Sequence, residues 1–335
     1  SFSSFLYMLI HSFNILLFLS NVYSDVFRPP SKASLLSILL GTGVQLFCMT
    51  IITICFAALG FLSPANRGSL MGAFLFVFVF MSFSAGYYSI KYFKIYKLEQ
   101  WRKQSIYTAL FFPAIVSILI ISLNFFIWYK GSSNAIPFTT MILLAFLWCA
   151  ISLPSTYFGS YLAANQPVEL PPTKVNFISR LIVEQKPWYS QSTLHILCGG
   201  ILSFGAIFVE LFFILNSLWQ DQYYYMFGCL FLVFIILAIT CAECSIVFCY
   251  FQLSYEDHLW HWRAFLASGS SALYLFLYSV YYFHTQLQLV DAVSIMLYFV
   301  YMFIISFYFF ILTGTIGYIA TSMFVYKIYS ALKID

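Results

Sequence analysis

Residues 193–253 read TLHILCGGILSFGAIFVELFFILNSLW, then QDQ, then YYYMFGCLFLVFIILAITCAECSIVFCYFQL. Each apolar half is long enough to cross a bilayer as a helix, which takes about 20 apolar residues. Each half also carries one carboxylate well inside it, Glu210 in the first and Glu243 in the second. A charge at the bilayer centre costs about 2.5–3.5 kcal/mol, so such residues usually face a protein interior or a wet cavity. The stretch therefore predicts a transmembrane hairpin around which the other spans assemble.

The composition of the whole chain is that of a membrane protein. Of its 335 residues, 62% are hydrophobic, 22% aromatic and only 8% charged, whereas soluble domains carry about 25% charged residues. The mean hydropathy is +0.91. The formal net charge is only +4, so nothing indicates a nucleic-acid partner. The expected surroundings are the lipid bilayer.

Apolar segments long enough to span a membrane follow one another along the chain. Their apolar residues occur all round each helix, and the runs are continuous rather than alternating, which favours helices over a barrel. We therefore expect an all-α membrane protein, a polytopic bundle of nine transmembrane helices that forms one domain over residues 1–335. The predicted spans are about 4–22, 34–62, 70–93, 106–129, 138–164, 193–219, 223–251, 264–283 and 292–325.

Lys and Arg residues set the expected orientation. With the N-terminus luminal and the C-terminus cytosolic, thirteen of the fifteen Lys and Arg residues fall on the cytosolic side, leaving only Arg67 and Lys130 on the luminal side. The first cytosolic turn is abrupt, because the prolines of DVFRPP (25–30) follow soon after the first span. We therefore expect that residues of a longer cytosolic loop are missing near residues 21–24. Trp260 and Trp262 are predicted to lie in the aromatic belt at the same surface.

Long blocks of sequence occur in a fixed order between residue 25 and the end of the chain. They are DVFRPP (25–30), GFLSPANRG (60–68), GSSNAIPF (131–138), FGAIFVELFFILNSLW (204–219), MFGCLFLVFIILAIT (226–240), W-x-W-R-x-F-L-x-S-G (260–269), LTGTIG (312–317) and the terminal KIY…KID. In content and order these blocks resemble the transmembrane 9 superfamily, the nonaspanins. The resemblance implies nine spans that follow a large luminal N-terminal domain, which this sequence does not contain.

The resemblance also implies a cellular function. It implies residence in Golgi and endosomal membranes as a multi-pass protein, and a part in the surface delivery of membrane proteins with glycine-rich spans, linked to adhesion and phagocytosis. The ending Lys333-Ile334-Asp335 resembles the family's K-x-D/E ending, which the coatomer coat reads as a Golgi retrieval signal. An ordinary charged terminus, with its lysine at the headgroups, is the alternative.

A groove lined by small and polar side chains is the expected recognition site for the spans of cargo proteins. Such a groove would act through close packing and interhelical hydrogen bonds. The competing hypothesis is a transporter or channel in which the two intramembrane carboxylates bind a proton or a cation. A third interpretation is that each carboxyl group is protonated and hydrogen-bonded to a neighbouring helix. The candidate site residues are Glu210, Glu243, Asn216, Gly200 and Gly205.

The sequence lacks the residue sets that intramembrane hydrolases use, such as a nucleophile–base pair, two catalytic aspartates or H-E-x-x-H. We therefore expect no enzymatic activity, no cofactor and no metal. The C-x-x-C pattern at residues 241–244 lies inside a span, without a second cysteine pair. The acids and histidines at residues 256–261 form a single short group. Metal binding is the alternative at both places, and packing is the favoured interpretation of each.

Overall fold

A computed structural model of the chain describes residues 23–58, 67–129, 136–167, 171–173, 192–219, 223–286 and 292–331. Within these ranges it leaves undescribed the side chains at residues 58, 67–71, 192, 207, 209–229 and 286. All regular secondary structure in the described part of the chain is helical. The fold is therefore all-α, as the continuous apolar runs predict.

The helices lie close to the predicted segments from 34–62 to 292–325, whereas segment 4–22 is outside the described residues. The helices are α1 (Ala33–Ala58), α2 (Arg67–Ile95), α3 (Trp101–Tyr129), α4 (Phe138–Leu147), a π-helical turn (Trp148–Ser152), α5 (Leu153–Asn165), α6 (Ser192–Trp219), α7 (Tyr223–Ser254), α8 (Trp260–Gly269), α9 (Ser271–Gln286) and α10 (Ala292–Ala331).

Seven stretches among the described residues are long and apolar enough to cross a membrane. They lie in α1, α2, α3, α4–α5 taken together, α7, α8–α9 taken together, and α10. In α6 the apolar stretch with described side chains is shorter, Thr193–Ala206. The protein is thus a polytopic helical membrane protein, while the count of nine spans and the orientation of the termini stay predictions.

The α4–α5 span contains a break in its helical hydrogen bonding. Trp148–Ser152 forms a π-helical turn, in which the N–H of Leu153 donates to the carbonyl of Trp148. Pro154 follows in the first turn of α5. Proline has no N–H and its ring clashes with the carbonyl four residues earlier, and the wider π-helical turn leaves more room for the ring.

α1 is the most enclosed of the spans whose side chains are described. Of its apolar stretch 67% is buried, against 22% for that of α7. The largest hydrophobic cluster joins α1 to α8 and α10 through residues such as Leu40, Phe265 and Ile311. The expectation that the bundle assembles around the 193–253 hairpin is therefore wrong for the described part. Apolar side chains that face lipid and those that face other helices look alike in sequence.

Glycines set the closest approaches between helices. A Cβ at Gly86 of α2 would lie 2.0 Å from the carbonyl oxygen of Thr156 on α5, and one at Gly159 would lie 2.1 Å from the carbonyl oxygen of Phe83. A Cβ at Gly43 of α1 would collide with Thr315 of α10. These helices therefore pack with their backbones close together, as small residues allow in membranes.

Candidate functional site

α6 and α7 form an antiparallel helical hairpin. The rings of His195 and Phe248 lie 5.4 Å apart between their centroids. Nearer the hairpin turn, the Ser203 hydroxyl of α6 lies beside the thiols of Cys241 and Cys244 on α7. The two cysteines of the C-x-x-C pattern thus lie at a helix–helix seam, where small side chains let two helices pack closely.

Glu243 lies on the outer side of α7. Its side chain is exposed, and Ile239 and Val247, one turn away in either direction, are 52% and 49% exposed. On the opposite side of the helix, Cys241 and Ser245 are buried. The Glu243 carboxylate makes no hydrogen bond or ion pair with a described residue. The expectation that an intramembrane acid faces the protein interior is therefore wrong for Glu243.

The two glycines of the predicted groove have different surroundings. A Cβ at Gly200 would lie 2.2 Å from the Ser270 hydroxyl oxygen, so this glycine is used where α6 packs against the junction of α8 and α9. At Gly205 an added Cβ would meet no atom within 4 Å. Ile201 and Leu202, one turn away, are 54% and 56% exposed. Gly205 therefore leaves an open notch on the outer surface of α6.

The register of the hairpin gives the relative depths of these residues. The His195–Phe248 contact places Gly205 opposite about residue 238 of α7, since each step along one helix matches one step along the other. At about 1.5 Å per residue, Glu243 lies about 8 Å from that level along the hairpin axis. Gly205 and Glu243 therefore lie within about two helical turns of each other along the hairpin axis.

Several predicted site residues lie outside the described side chains. The backbone of α6 is helical through Glu210 and Asn216, but their side chains lie outside the described part of the structure. Helical rise puts Glu210 about 8 Å nearer the hairpin turn than Gly205. Lys333 and Asp335 follow the last described residue, Ala331. The assignment of these residues to a cargo site or a sorting signal stays a prediction.

Two blocks that are far apart in the sequence meet at one end of the bundle. The indole N–H of Trp260 donates to the carbonyl of Val26 at 2.9 Å, and that of Trp262 donates to the carbonyl of Ser31 at 2.6 Å. Trp260 is only 2% exposed, so its predicted place in an interfacial aromatic belt is wrong. It is a core residue because its polar N–H has a backbone partner inside the protein.

Hydroxyl and imidazole groups extend this contact toward α10. The Tyr318 hydroxyl lies 3.0 Å from Nδ1 of His261 and 2.5 Å from the Tyr96 hydroxyl. Burial raises the pKa of Tyr96. Asp257 forms an ion pair with Arg263. These side chains are engaged in packing contacts, and the described residues contain no group of three or more metal-ligating side chains.

Comparison with known proteins gives matches to one family of membrane proteins. The family model of Endomembrane protein 70 matches residues 20–293. Transmembrane 9 superfamily member 9 of Arabidopsis thaliana is 54% identical over 314 residues, which cover 94% of this chain and 49% of the relative. Human Transmembrane 9 superfamily members 2 and 4 are each 47% identical over 314 residues, covering 94% of this chain and 47% and 49% of the relatives. No solved structure matches the chain.

The chain spans about half the length of the curated relatives that it matches. The family model and the relatives each match most of the present sequence. The helical membrane-spanning architecture and the order of the sequence blocks agree with that match. The chain therefore belongs to the Endomembrane protein 70 family, the family of the transmembrane 9 superfamily members.

Proposed function

We propose that this chain is the membrane part of a non-enzymatic sorting factor or chaperone of Golgi and endosomal membranes. It recognises glycine-rich or polar transmembrane segments of cargo membrane proteins and supports their delivery to the cell surface, with consequences for adhesion and phagocytosis. The observation that carries the proposal is the outer surface of the α6–α7 hairpin. There, Gly205 leaves a notch and Glu243 presents an exposed carboxyl group.

Recognition between membrane helices depends on packing and hydrogen bonds, because lipid tails are as apolar as leucine side chains. The notch at Gly205 lets the backbone of a second helix approach closely, above all where that helix also has a small residue. The carboxyl group of Glu243 offers a hydrogen bond to a polar side chain of the same helix. A cargo span made of leucines makes neither the close backbone contact nor the hydrogen bond, so it binds this surface no better than lipid does. The surface therefore favours glycine-rich or polar spans.

A transporter or channel that uses Glu210 and Glu243 is the alternative. Carboxylates in such proteins face the bundle interior or a water-filled path. Glu243 lies instead among exposed apolar residues on the outer side of α7. This position does not strengthen the transporter or channel hypothesis. Cation flux into liposomes that disappears in Glu243→Gln protein would revive it.

The proposal predicts that two substitutions on the hairpin surface weaken cargo recognition. In cells that lack the gene, the surface level of a cargo protein with a glycine-rich span falls, and the full-length protein restores it. Gly205→Leu fills the notch and fails to restore it. Glu243→Leu removes the interhelical hydrogen bond, so cargo association falls about 3- to 15-fold. The measurements are cell-surface labelling and co-purification of the cargo.

A matched control lies on α2. An added Cβ at Gly72 also meets no atom within 4 Å, so Gly72→Leu adds the same bulk to another exposed helix surface. This variant restores cargo delivery as the unchanged protein does. Unchanged surface levels after deletion, in cells that express no other member of the family, would contradict the proposed function. Full restoration of cargo delivery by Gly205→Leu would show that the hairpin surface does not recognise the cargo.

A further inference from the structure

Exposed basic side chains collect at the end of the bundle where α1 and α3 begin. Lys32 immediately precedes α1, Lys97 lies in the turn between α2 and α3, and Arg102 and Lys103 lie in the first turn of α3. All four side chains are exposed. We call these four residues the basic corner.

The two parts of the basic corner are adjacent in space. The hydroxyl of Ser34 on α1 donates to Oε1 of Gln104 on α3 at 2.6 Å. Nε2 of Gln104 donates back to the carbonyl of Ser34 at 2.9 Å. The first turns of α1 and α3 therefore lie side by side. Lys32 is two residues before Ser34, and Lys103 is one residue before Gln104. Both lysines therefore flank this contact.

Aromatic contacts hold both sides of the basic corner in place. On the α1 side, the indole N–H of Trp262 donates to the carbonyl of Ser31 at 2.6 Å. On the α3 side, the Trp101 ring packs against the rings of Tyr157 and Tyr161, with centroids 5.8 Å and 6.5 Å away. The backbone that carries the four basic residues is thus fixed relative to the bundle.

The four positive charges of the basic corner outnumber the one acid in the same turn, the exposed Glu99. None of its four side chains makes an ion pair with a described residue, and the Arg102 guanidinium lies 5.6 Å from the centroid of the Trp101 ring. The nearby Lys94 behaves differently, because its Nζ donates to the carbonyls of Ala164 and Gln166 at 2.7 Å each. The corner therefore presents a concentrated positive charge to whatever lies beside it.

Two residues of the basic corner have backbone conformations that favour glycine. Lys32 has φ 55° and Lys97 has φ 58°. Lys97 ends α2 in a Schellman-type cap, with its own N–H donating to the carbonyl of Lys94 at 2.9 Å and the N–H of Leu98 donating to that of Phe93 at 3.3 Å. Glycine adopts this conformation at no steric cost. A change of either lysine to glycine therefore removes a charge and relieves the backbone at the same time.

The basic corner lies at the depth of the lipid headgroups. The apolar stretch of α2 ends at Ile95 and that of α3 begins at Trp101, so the turn between them is at the boundary of the hydrocarbon layer. Leu98 is 36% exposed and can rest on that layer. The positive dipole ends of α1 and α3 point to the same place.

We propose that the basic corner binds the phosphate-bearing headgroup of an anionic phospholipid in the leaflet that adjoins this end of the bundle. Four cationic side chains match a headgroup with more than one negative charge, such as a phosphorylated inositol, better than a singly charged one. Fixed basic side chains next to a span attract anionic lipids electrostatically. This binding is independent of the cargo surface on α6 and α7, which is made by other helices.

The test uses the full-length protein in nanodiscs of phosphatidylcholine that contain a minor fraction of a phosphatidylinositol monophosphate. Native mass spectrometry counts the inositol lipids that stay bound as their fraction is raised. The triple variant Lys97→Gln/Arg102→Gln/Lys103→Gln removes three charges, and its apparent affinity falls about 100-fold. Lys97→Gly removes one charge while relieving the backbone, so it keeps the fold and loses about 5-fold.

Lys327 supplies the matched control, because it is an exposed lysine of α10. It is two residues from Tyr329, which packs on Phe27 at the same end of the bundle. Lys327→Gln keeps the affinity of the unchanged protein. Retention of the inositol lipid no better than that of phosphatidylcholine would overturn the proposal. So would an equal loss in Lys327→Gln, or unchanged binding in the triple variant. Displacement of the lipid by the soluble inositol phosphate headgroup at equal concentration would show a site for free anions instead.

Discussion

Trp260 joins two segments of the chain that are 234 residues apart. Its indole N–H satisfies the carbonyl of Val26, and both residues are almost completely buried. A buried carbonyl that loses its donor keeps the full desolvation penalty, about 1–3 kcal/mol. The attachment of the DVFRPP segment to the helical bundle therefore depends in part on this hydrogen bond, beside ring contacts such as that of Phe27 with Tyr329.

Substitution of Trp260 by phenylalanine tests this dependence. The ring stays apolar and large, but the N–H is lost, so we expect the free energy of unfolding to fall by about 1–3 kcal/mol. Trp262→Phe is the matched control, because the Trp262–Ser31 hydrogen bond is solvent-exposed and water can replace the missing donor. Thermal unfolding of the detergent-solubilised protein measures both. Equal effects of the two variants would contradict the assignment of Trp260 to the core.

The same residue shows where inference from sequence stops. A tryptophan close to the end of an apolar span is typical of the interfacial belt, and local sequence does not report a partner in a distant segment. Glu243 is a comparable case. Its position inside an apolar run could be read from the sequence, but the side of α7 on which it lies could not, because that helix is apolar all round.

At the scale of single elements, the positions of the helices were largely predictable and their partners were not. The predicted span 193–219 differs by one residue from α6 (Ser192–Trp219), because a continuous apolar run defines it. The predicted span 106–129 misses the start of α3, because its first turn, from Trp101, is polar and amphipathic. Gly200 and Gly205 were both predicted to line a groove, yet only the structure shows that Gly200 packs against a neighbouring helix and Gly205 is open.

The α2–α5 seam gives a sharp prediction for glycine substitutions. A Cβ at Gly86 would stand 2.0 Å from a backbone oxygen of α5, and a backbone atom cannot move aside as a side chain can. We expect Gly86→Ala to lower the free energy of unfolding by about 1–3 kcal/mol, since overpacking forces the helices apart. Thermal unfolding and the yield of monodisperse protein in detergent measure the effect.

Gly72→Ala provides the control on the same helix. Its Cβ enters open space, and alanine is about 0.8–1.0 kcal/mol more favourable than glycine inside a helix. This variant is therefore expected to be as stable as the unchanged protein or slightly more stable. A loss of stability at Gly72 as large as at Gly86 would show that helix contact is not what makes Gly86 sensitive.

For the molecule as a whole, composition identified a membrane protein, because a chain with 8% charged residues cannot cover a soluble surface, and the continuous apolar runs identified its spans as helices. The centre of the bundle could not be identified in that way. α1 became central through contacts such as that of Gly43 with Thr315, which join the first helices to the last. These contacts link segments hundreds of residues apart, and no local period encodes them.

The terminal residues bear on where the whole protein resides in the cell. Lys333-Ile334-Asp335 ends the chain, and we propose that the coatomer coat binds this ending together with its terminal carboxylate and returns the protein to the Golgi. Such a signal acts as an address that a receptor reads, so it must be accessible. Two alanines appended after Asp335 move the terminal carboxylate away from Lys333 without altering any span. We expect the extended protein to leave the Golgi for later compartments, as seen by immunofluorescence, and to lose binding to purified coatomer.

A second variant separates recognition from folding. Lys333→Ala keeps the length of the chain and the terminal carboxylate, and it removes only the cation of the proposed signal. We expect the same redistribution and the same loss of coatomer binding, while Lys327→Ala, a lysine within α10, leaves both unchanged. If the extended and Lys333→Ala proteins still concentrate in the Golgi and bind coatomer, the ending is an ordinary charged terminus. In that case, Golgi residence must depend on another feature of the protein.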